Sequence, residues 1–169
     1  MLLLLKYFAS NLPAGPGINI SAILFSCDLN KDDKKNEFIP NLTDLNNNEF
    51  KLENYEGNVL IVNLWATWCK PCVAEFESLE KFKKKVIGKK IKIVAISNEN
   101  KDKIKAFIEK RNFDLEFIKL NGDLSYFNAY SLPTTIILDK QGNESFRIAS
   151  GIDFTSNNFV NKILALEEL

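Results

Sequence analysis

The sequence predicts an α/β fold, a central mixed β-sheet flanked by helices and preceded by an N-terminal β-hairpin. Three observations lead there. Val59 to Ala66 is a nearly continuous β-prone apolar run, the pattern of a strand buried on both faces. Directly after it, Val73, Phe76, Leu79, Phe82 and Val86 recur at steps of three and four, which is one face of a helix. Ile91 to Ser97 is a second buried strand, so the first half reads β-α-β, while the C-terminal part reads β-β-α. Strands joined through a helix run parallel and strands joined by a tight turn run antiparallel, so the sheet is mixed.

The elements follow in order. Phe38 to Leu52 contains two short strand-like pieces around Asn46-Asn47-Asn48, a hairpin turn because asparagine tolerates left-handed backbone. The lysines between Lys81 and Lys92 interleave with Phe82, Val86, Ile87 and Ile91. They form the solvated face of a helix and its exit rather than a basic patch. Lys103 to Arg111 carries Ile104, Phe107 and Ile108 at helical spacing; Leu115 to Leu120 is a short strand; Leu124 to Tyr130 is a short helix leading to Pro133. Asp139-Lys140-Gln141-Gly142-Asn143 is a hairpin turn joining the Thr134 strand to Glu144–Ile148. Phe159, Val160, Ile163 and Leu164 mark a terminal helix. With 46% hydrophobic residues and a formal net charge of zero, residues 37–169 make one globular domain with a proper core. The balanced charge leaves no footprint for nucleic acid.

Trp68-Cys69-Lys70-Pro71-Cys72 lies at the strand-to-helix junction. Pro71 falls in the first helical turn, where a missing N–H costs nothing. Cys69 falls at the helix N-terminus, where unpaired N–H groups and the helix dipole favour a thiolate. Lys70 adds a positive charge beside it. The thiolate is the nucleophile of disulfide exchange, so Cys69 is the expected attacking thiol. Cys72, one turn further in and more buried, would resolve the mixed disulfide. A zinc site needs four ligands, and this chain has no histidine and one other cysteine, Cys27; no metal is expected. A purely structural disulfide across three residues would stabilise little. Dithiol exchange calls for no cofactor.

Asn63-Leu-Trp-Ala-Thr-Trp-Cys-Lys-Pro-Cys-Val-Ala-Glu75 closely resembles the TlpA/ResA-like branch of the thioredoxin superfamily, over about residues 37 to 169. The resemblance implies a thioredoxin-like fold and a thiol–disulfide oxidoreductase that reduces protein disulfides outside the cytoplasm. It also implies a membrane thiol–disulfide electron donor and apocytochrome c as a substrate class. In that branch the proline of Leu132-Pro133-Thr134-Thr135 is cis and faces the disulfide, which makes Leu132 and Pro133 substrate-docking residues. Trp68, Lys70 and Pro71 join them as expected substrate contacts; for Trp68 the alternative is core packing, and Trp65 packs near the site. In many relatives a glutamate at position 75 lies beneath the disulfide and handles protons for the buried thiol; the alternative is a solvated glutamate complementing the helix dipole. Cytoplasmic thioredoxins usually carry an aspartate where this chain has Asn63, so Glu75 is the better proton acceptor here. Rival functions are a DsbA-type dithiol oxidase, a thiol peroxidase and a non-catalytic binding module. Against the peroxidase, Ala66 stands where peroxidases place a threonine. The protein is expected to act as a monomer.

Lys6 is the sole charge before Asp28, and a short apolar stretch from Ile18 to Phe25 leads to Ser26-Cys27. These are export-signal features. Residues 1–27 are read as a signal peptide or membrane anchor ending at a lipobox-like cysteine. Cys27 is the candidate lipidation site, against an uncleaved anchor, plain secretion or an incidental cysteine. Residues 28–36, polar and without periodicity, read as a flexible tether. Together they place the protein on the extracytoplasmic (periplasmic) face of a bacterial membrane.

Overall fold

The computed structural model describes residues 40–169. The expected signal or anchor segment, Cys27 and the tether lie outside them. Seven strands form one sheet: β1 (Leu42–Thr43), β2 (Glu49–Phe50), β3 (Val59–Leu64), β4 (Ile91–Ser97), β5 (Glu116–Leu120), β6 (Thr134–Leu138) and β7 (Glu144–Ile148). Their order is β2-β1-β5-β4-β3-β6-β7. Among the described residues the α-helices are α1 (Lys70–Lys85), α2 (Lys101–Arg111) and α3 (Asn157–Glu168).

The sheet is mixed, as the connections require. β3–β4 and β4–β5 are parallel and joined through α1 and α2. β3–β6, β6–β7, β1–β5 and β1–β2 are antiparallel. The hairpin between β1 and β2 turns at Asn47, whose φ of 70° is the left-handed conformation expected of an asparagine there. Asp44 accepts the backbone N–H groups of Asn46 and Asn48 across that turn.

β3 is buried at every position, because each of its faces meets a separate apolar layer. Val59 and Ile61 face the layer that also contains Phe76, Leu79, Phe82, Ile104, Phe159 and Ile163, so all three helices contribute to it. Leu60, Val62 and Leu64 face the opposite layer, closed by Phe50, Leu52, Tyr55, Leu124 and Phe127. Two elements differ from the sequence expectation. The apolar run continues to Ala66, but strand pairing stops at Leu64 and the chain turns off toward the site. The segment expected to be a helix over 124–130 is one 3-10 turn, Leu124–Phe127, stopped by Asn128 in the left-handed conformation. Four residues are too few to repay helix nucleation without tertiary help.

Trp65 is fully buried and packs edge-on against Phe76 and Phe117, with Phe107 tilted beside it at 5.2 Å. This aromatic cluster fixes α1 and α2 against the ends of β3 and β5. At the other end of α1, Phe82 meets Phe159 of α3 at 5.4 Å. Phe82→Ala, remote from the cysteines, is expected to lower unfolding stability by about 3–5 kcal/mol through cavity formation. Ile87→Ala, at a 78% exposed position, should change it by less than about 0.5 kcal/mol. Urea midpoints of the two variants check this; a Phe82→Ala loss as small as that of Ile87→Ala would contradict the packing described.

Candidate functional site

The site forms where β3 leaves the sheet and α1 begins. Cys69 is the N-cap of α1: its backbone is extended, and its sulfur accepts the N–H of Cys72 at 3.3 Å. That bond occupies one of the donors left over at a helix start. Pro71 sits in the first turn, as its missing N–H allows. Cys69 and Cys72 are joined in a disulfide with Cα atoms 5.3 Å apart. Cys69 is 4% exposed and Cys72 wholly covered. Trp68, Lys70 and Pro71 around them are exposed. At 67% exposure, Trp68 stands on the surface and not in the core.

Glu75 follows Cys72 by one turn on the same face of α1, and it is 5% exposed. The solvated alternative for this glutamate therefore does not hold. Asn63 Nδ2 donates to Oε1 at 2.8 Å, and the backbone N–H of Ile152 donates to Oε2 at 3.1 Å. Asn63 Nδ2 also donates to Thr135 Oγ1 at 3.1 Å, its register partner on β6. Burial pushes the Glu75 carboxyl above the ordinary carboxylate value, and the bonds from Asn63 and Ile152 pull the other way less strongly. Below Glu75, Ser78 Oγ donates to the Glu75 carbonyl and accepts the N–H of Phe154. Two residues of α1 thus hold the loop between β7 and α3.

The same loop brings the prolines together. A side-chain carbon at Gly151 would lie 3.7 Å from Glu75 Oε2, 3.7 Å from Pro71 Cβ and 3.9 Å from Pro133 Cγ. Pro133 is buried, Leu132 half-buried, and the peptide between them is cis. Thr134 Oγ1 donates to the Ser131 carbonyl at 2.7 Å and closes the turn around them. Cys69, Cys72, Glu75, Pro71 and Pro133 are therefore one site, with Trp68 and Lys70 at its edge.

Two contributors escape sequence reasoning. Glu99, beyond the carboxyl end of β4, accepts the backbone N–H of Thr67 at 2.5 Å and the Thr67 hydroxyl at 3.0 Å. Lys103 completes the arrangement by ion pairing with Glu99. Burial works against ionising Glu99, yet the bonds from Lys103 and Thr67 outweigh it and hold the carboxyl below its ordinary value. Glu99 anchors the residue two before Cys69. Its position past the end of a buried parallel strand, where α/β sites gather, was the available signal. The second contributor, the Gly151–Ile152 backbone, has no signal in residue type.

The raised Glu75 carboxyl makes stability depend on pH. The folded state holds that proton to higher pH than the unfolded chain does, so the contribution is full below the unfolded value near 4.5 and is lost as pH rises through the folded one. In urea titrations from acid to neutral pH, wild type minus Glu75→Gln stability is expected to fall as pH rises. A difference that stays flat or rises would show that Glu75 ionises freely.

The AhpC/TSA family model matches residues 36–145. The thioredoxin-like protein YneN of Bacillus subtilis is 34% identical over 108 residues, covering 60% of this chain and 62% of its own length. The thiol-disulfide oxidoreductase ResA of Geobacillus kaustophilus is 35% identical over 106 residues, 60% of each. The crystal structure of a thioredoxin-related protein from Neisseria meningitidis serogroup B superposes with a TM-score of 0.63 at 24% identity, over 75% of this chain and 98% of that one. The chain spans about 60% of the length of the curated relatives it matches, and its fold is thioredoxin-like.

Proposed function

The chain belongs to the AhpC/TSA family, and we propose that it works on the ResA-like thiol–disulfide side of the thioredoxin superfamily, reducing protein disulfides through Cys69 and Cys72. The observation that carries this reading is the placing of the two sulfurs: one capping α1 at the edge of the surface, the other wholly buried one turn on. In the reduced protein, the Cys69 thiolate attacks one sulfur of the substrate disulfide. A mixed disulfide forms, and one substrate thiolate leaves and takes a proton. Cys72, losing its proton, then attacks the Cys69 sulfur and expels the second substrate thiolate, which is protonated in turn. Two electrons pass to the substrate, with one proton from Cys72 and one from the solvent that took it when Cys69 ionised, and the enzyme is left with the disulfide described above. A membrane thiol–disulfide donor would return the two electrons.

Glu75 is the proposed acceptor of the Cys72 proton. It is covered, burial holds its carboxyl above the ordinary carboxylate value, and it lies on the same helix face. A carboxylate that holds a proton more strongly than usual is the better acceptor for one leaving a thiol. Trp68, Lys70 and Pro71 on one side, and Leu132 and Pro133 on the other, are the proposed substrate contacts. The export features before Cys27 support an extracytoplasmic enzyme held to a bacterial membrane by lipid on Cys27 or by the N-terminal segment. Among the described residues no helix is long and apolar enough to cross a membrane. The likeness of the Asn63–Glu75 stretch to the TlpA/ResA-like branch makes apocytochrome c the proposed substrate class.

Trapping tests the roles. Cys72→Ser leaves Cys69 unable to release its partner, so mixed-disulfide adducts should accumulate in the native host and vanish in Cys69→Ser/Cys72→Ser. Mass spectrometry of the adducts names the substrates and reads the mature N-terminus, which should begin at a lipid-bearing Cys27. Adducts that persist without Cys69 would overturn the assignment, and a mature chain that retains residues before Cys27 would exclude lipidation there.

A further inference from the structure

We propose that the groove between α1 and the end of α2 docks an acidic stretch of the substrate protein, adjoining the disulfide that Cys69 attacks. This rests on the exchange reading above and adds to it a preference among substrates. The groove encloses about 560 Å³. It is lined by Thr67 and Lys70, immediately before and after Trp68-Cys69, and by Val73 and Ala74 of α1. Phe107 and Phe113, both half-buried, and the exposed Arg111 complete the lining together with Glu77.

The charge of the groove is what selects the occupant. Among the described residues neither Lys70 nor Arg111 enters an ion pair. Arg111 instead lies 5.9 Å from the centre of the Phe107 ring. The one acid lining the groove, Glu77, is already held by Lys81 at 2.7 Å. Two cations over an apolar floor are therefore left without a counter-charge, and complementary potentials steer and orient a protein partner. A carboxylate-bearing segment satisfies Lys70 and Arg111, and its apolar side chains lie on the phenylalanine rings. Lys70 follows Cys69 directly in the chain. At about 3.3–3.6 Å per extended residue, a substrate joined to Cys69 needs few residues to reach the groove.

Three disulfide-bridged peptides of equal length, with acidic, neutral or basic residues flanking the bridge, test this with the reduced full-length chain. Wild type should show a kcat/KM for the acidic peptide roughly fivefold above the basic one, as two partly exposed charges allow, and the ratio should shrink toward one in high salt. Arg111→Glu, which leaves Lys70 facing a carboxylate, should bring the ratio close to one, and Arg111→Lys should keep it. Equal rates for the three peptides in wild type, or a preference indifferent to Arg111→Glu, would overturn the proposal while leaving the exchange chemistry standing. So would an Arg111→Glu effect confined to binding of phosphatidylglycerol vesicles or to self-association. Failure to reduce any peptide would overturn the exchange reading, and the groove assignment with it.

Discussion

The buried carboxyl of Glu75 is the constraint around which the site is assembled. A carboxylate out of water must find donors, and here they come from two separate parts of the chain: Asn63 in the middle of β3 and the Ile152 backbone in the loop before α3. Satisfying it therefore fixes α1 to the sheet and draws that loop, with Gly151, over Pro71 and Pro133. Asparagine at position 63 fits this role better than an acid would. Its amide donates one bond to Glu75 and another to Thr135, whereas an aspartate would set a second negative charge beside the first. The dithiol then rests on a helix whose start is held from both ends, by the cap at Cys69 and by the Glu99–Thr67 anchor just ahead of it.

Local physics explains the sulfurs. The helix start needs acceptors for its leftover N–H groups, and Cys69 supplies one. The apolar repeat of α1 carries Cys72, Phe76 and Leu79 inward, and Glu75 goes with them because it shares their face. The two sulfurs and the carboxyl are thus placed by one helix, while their chemical setting is supplied by strands and loops distant in sequence.

That division also decides what was legible. β4 spans Ile91–Ser97 as its apolar run indicated, and the Asn47 turn and the Asp139–Asn143 hairpin followed from backbone preferences of single residues. The dithiol and Pro133 were visible as motifs. What stayed hidden depends on juxtaposition. Glu99 reads as an ordinary loop acid until Thr67 is beside it. Val73, at core spacing in the helical pattern, is half-exposed because it lies at the edge where α1 meets the groove toward α2. The stretch after Asp123 has helical composition but ends at Asn128 after one 3-10 turn, a choice made by the packing of Leu124 and Phe127 on the sheet.

The account stands on the Cys69–Cys72 couple acting as a reductant. Equilibrating the protein with dithiol/disulfide buffers at pH 7 gives its potential directly. A value in the thioredoxin region, about −270 mV, is the expected result; one near the strong oxidant DsbA, about −120 mV, would mean that electrons flow the other way and would contradict it.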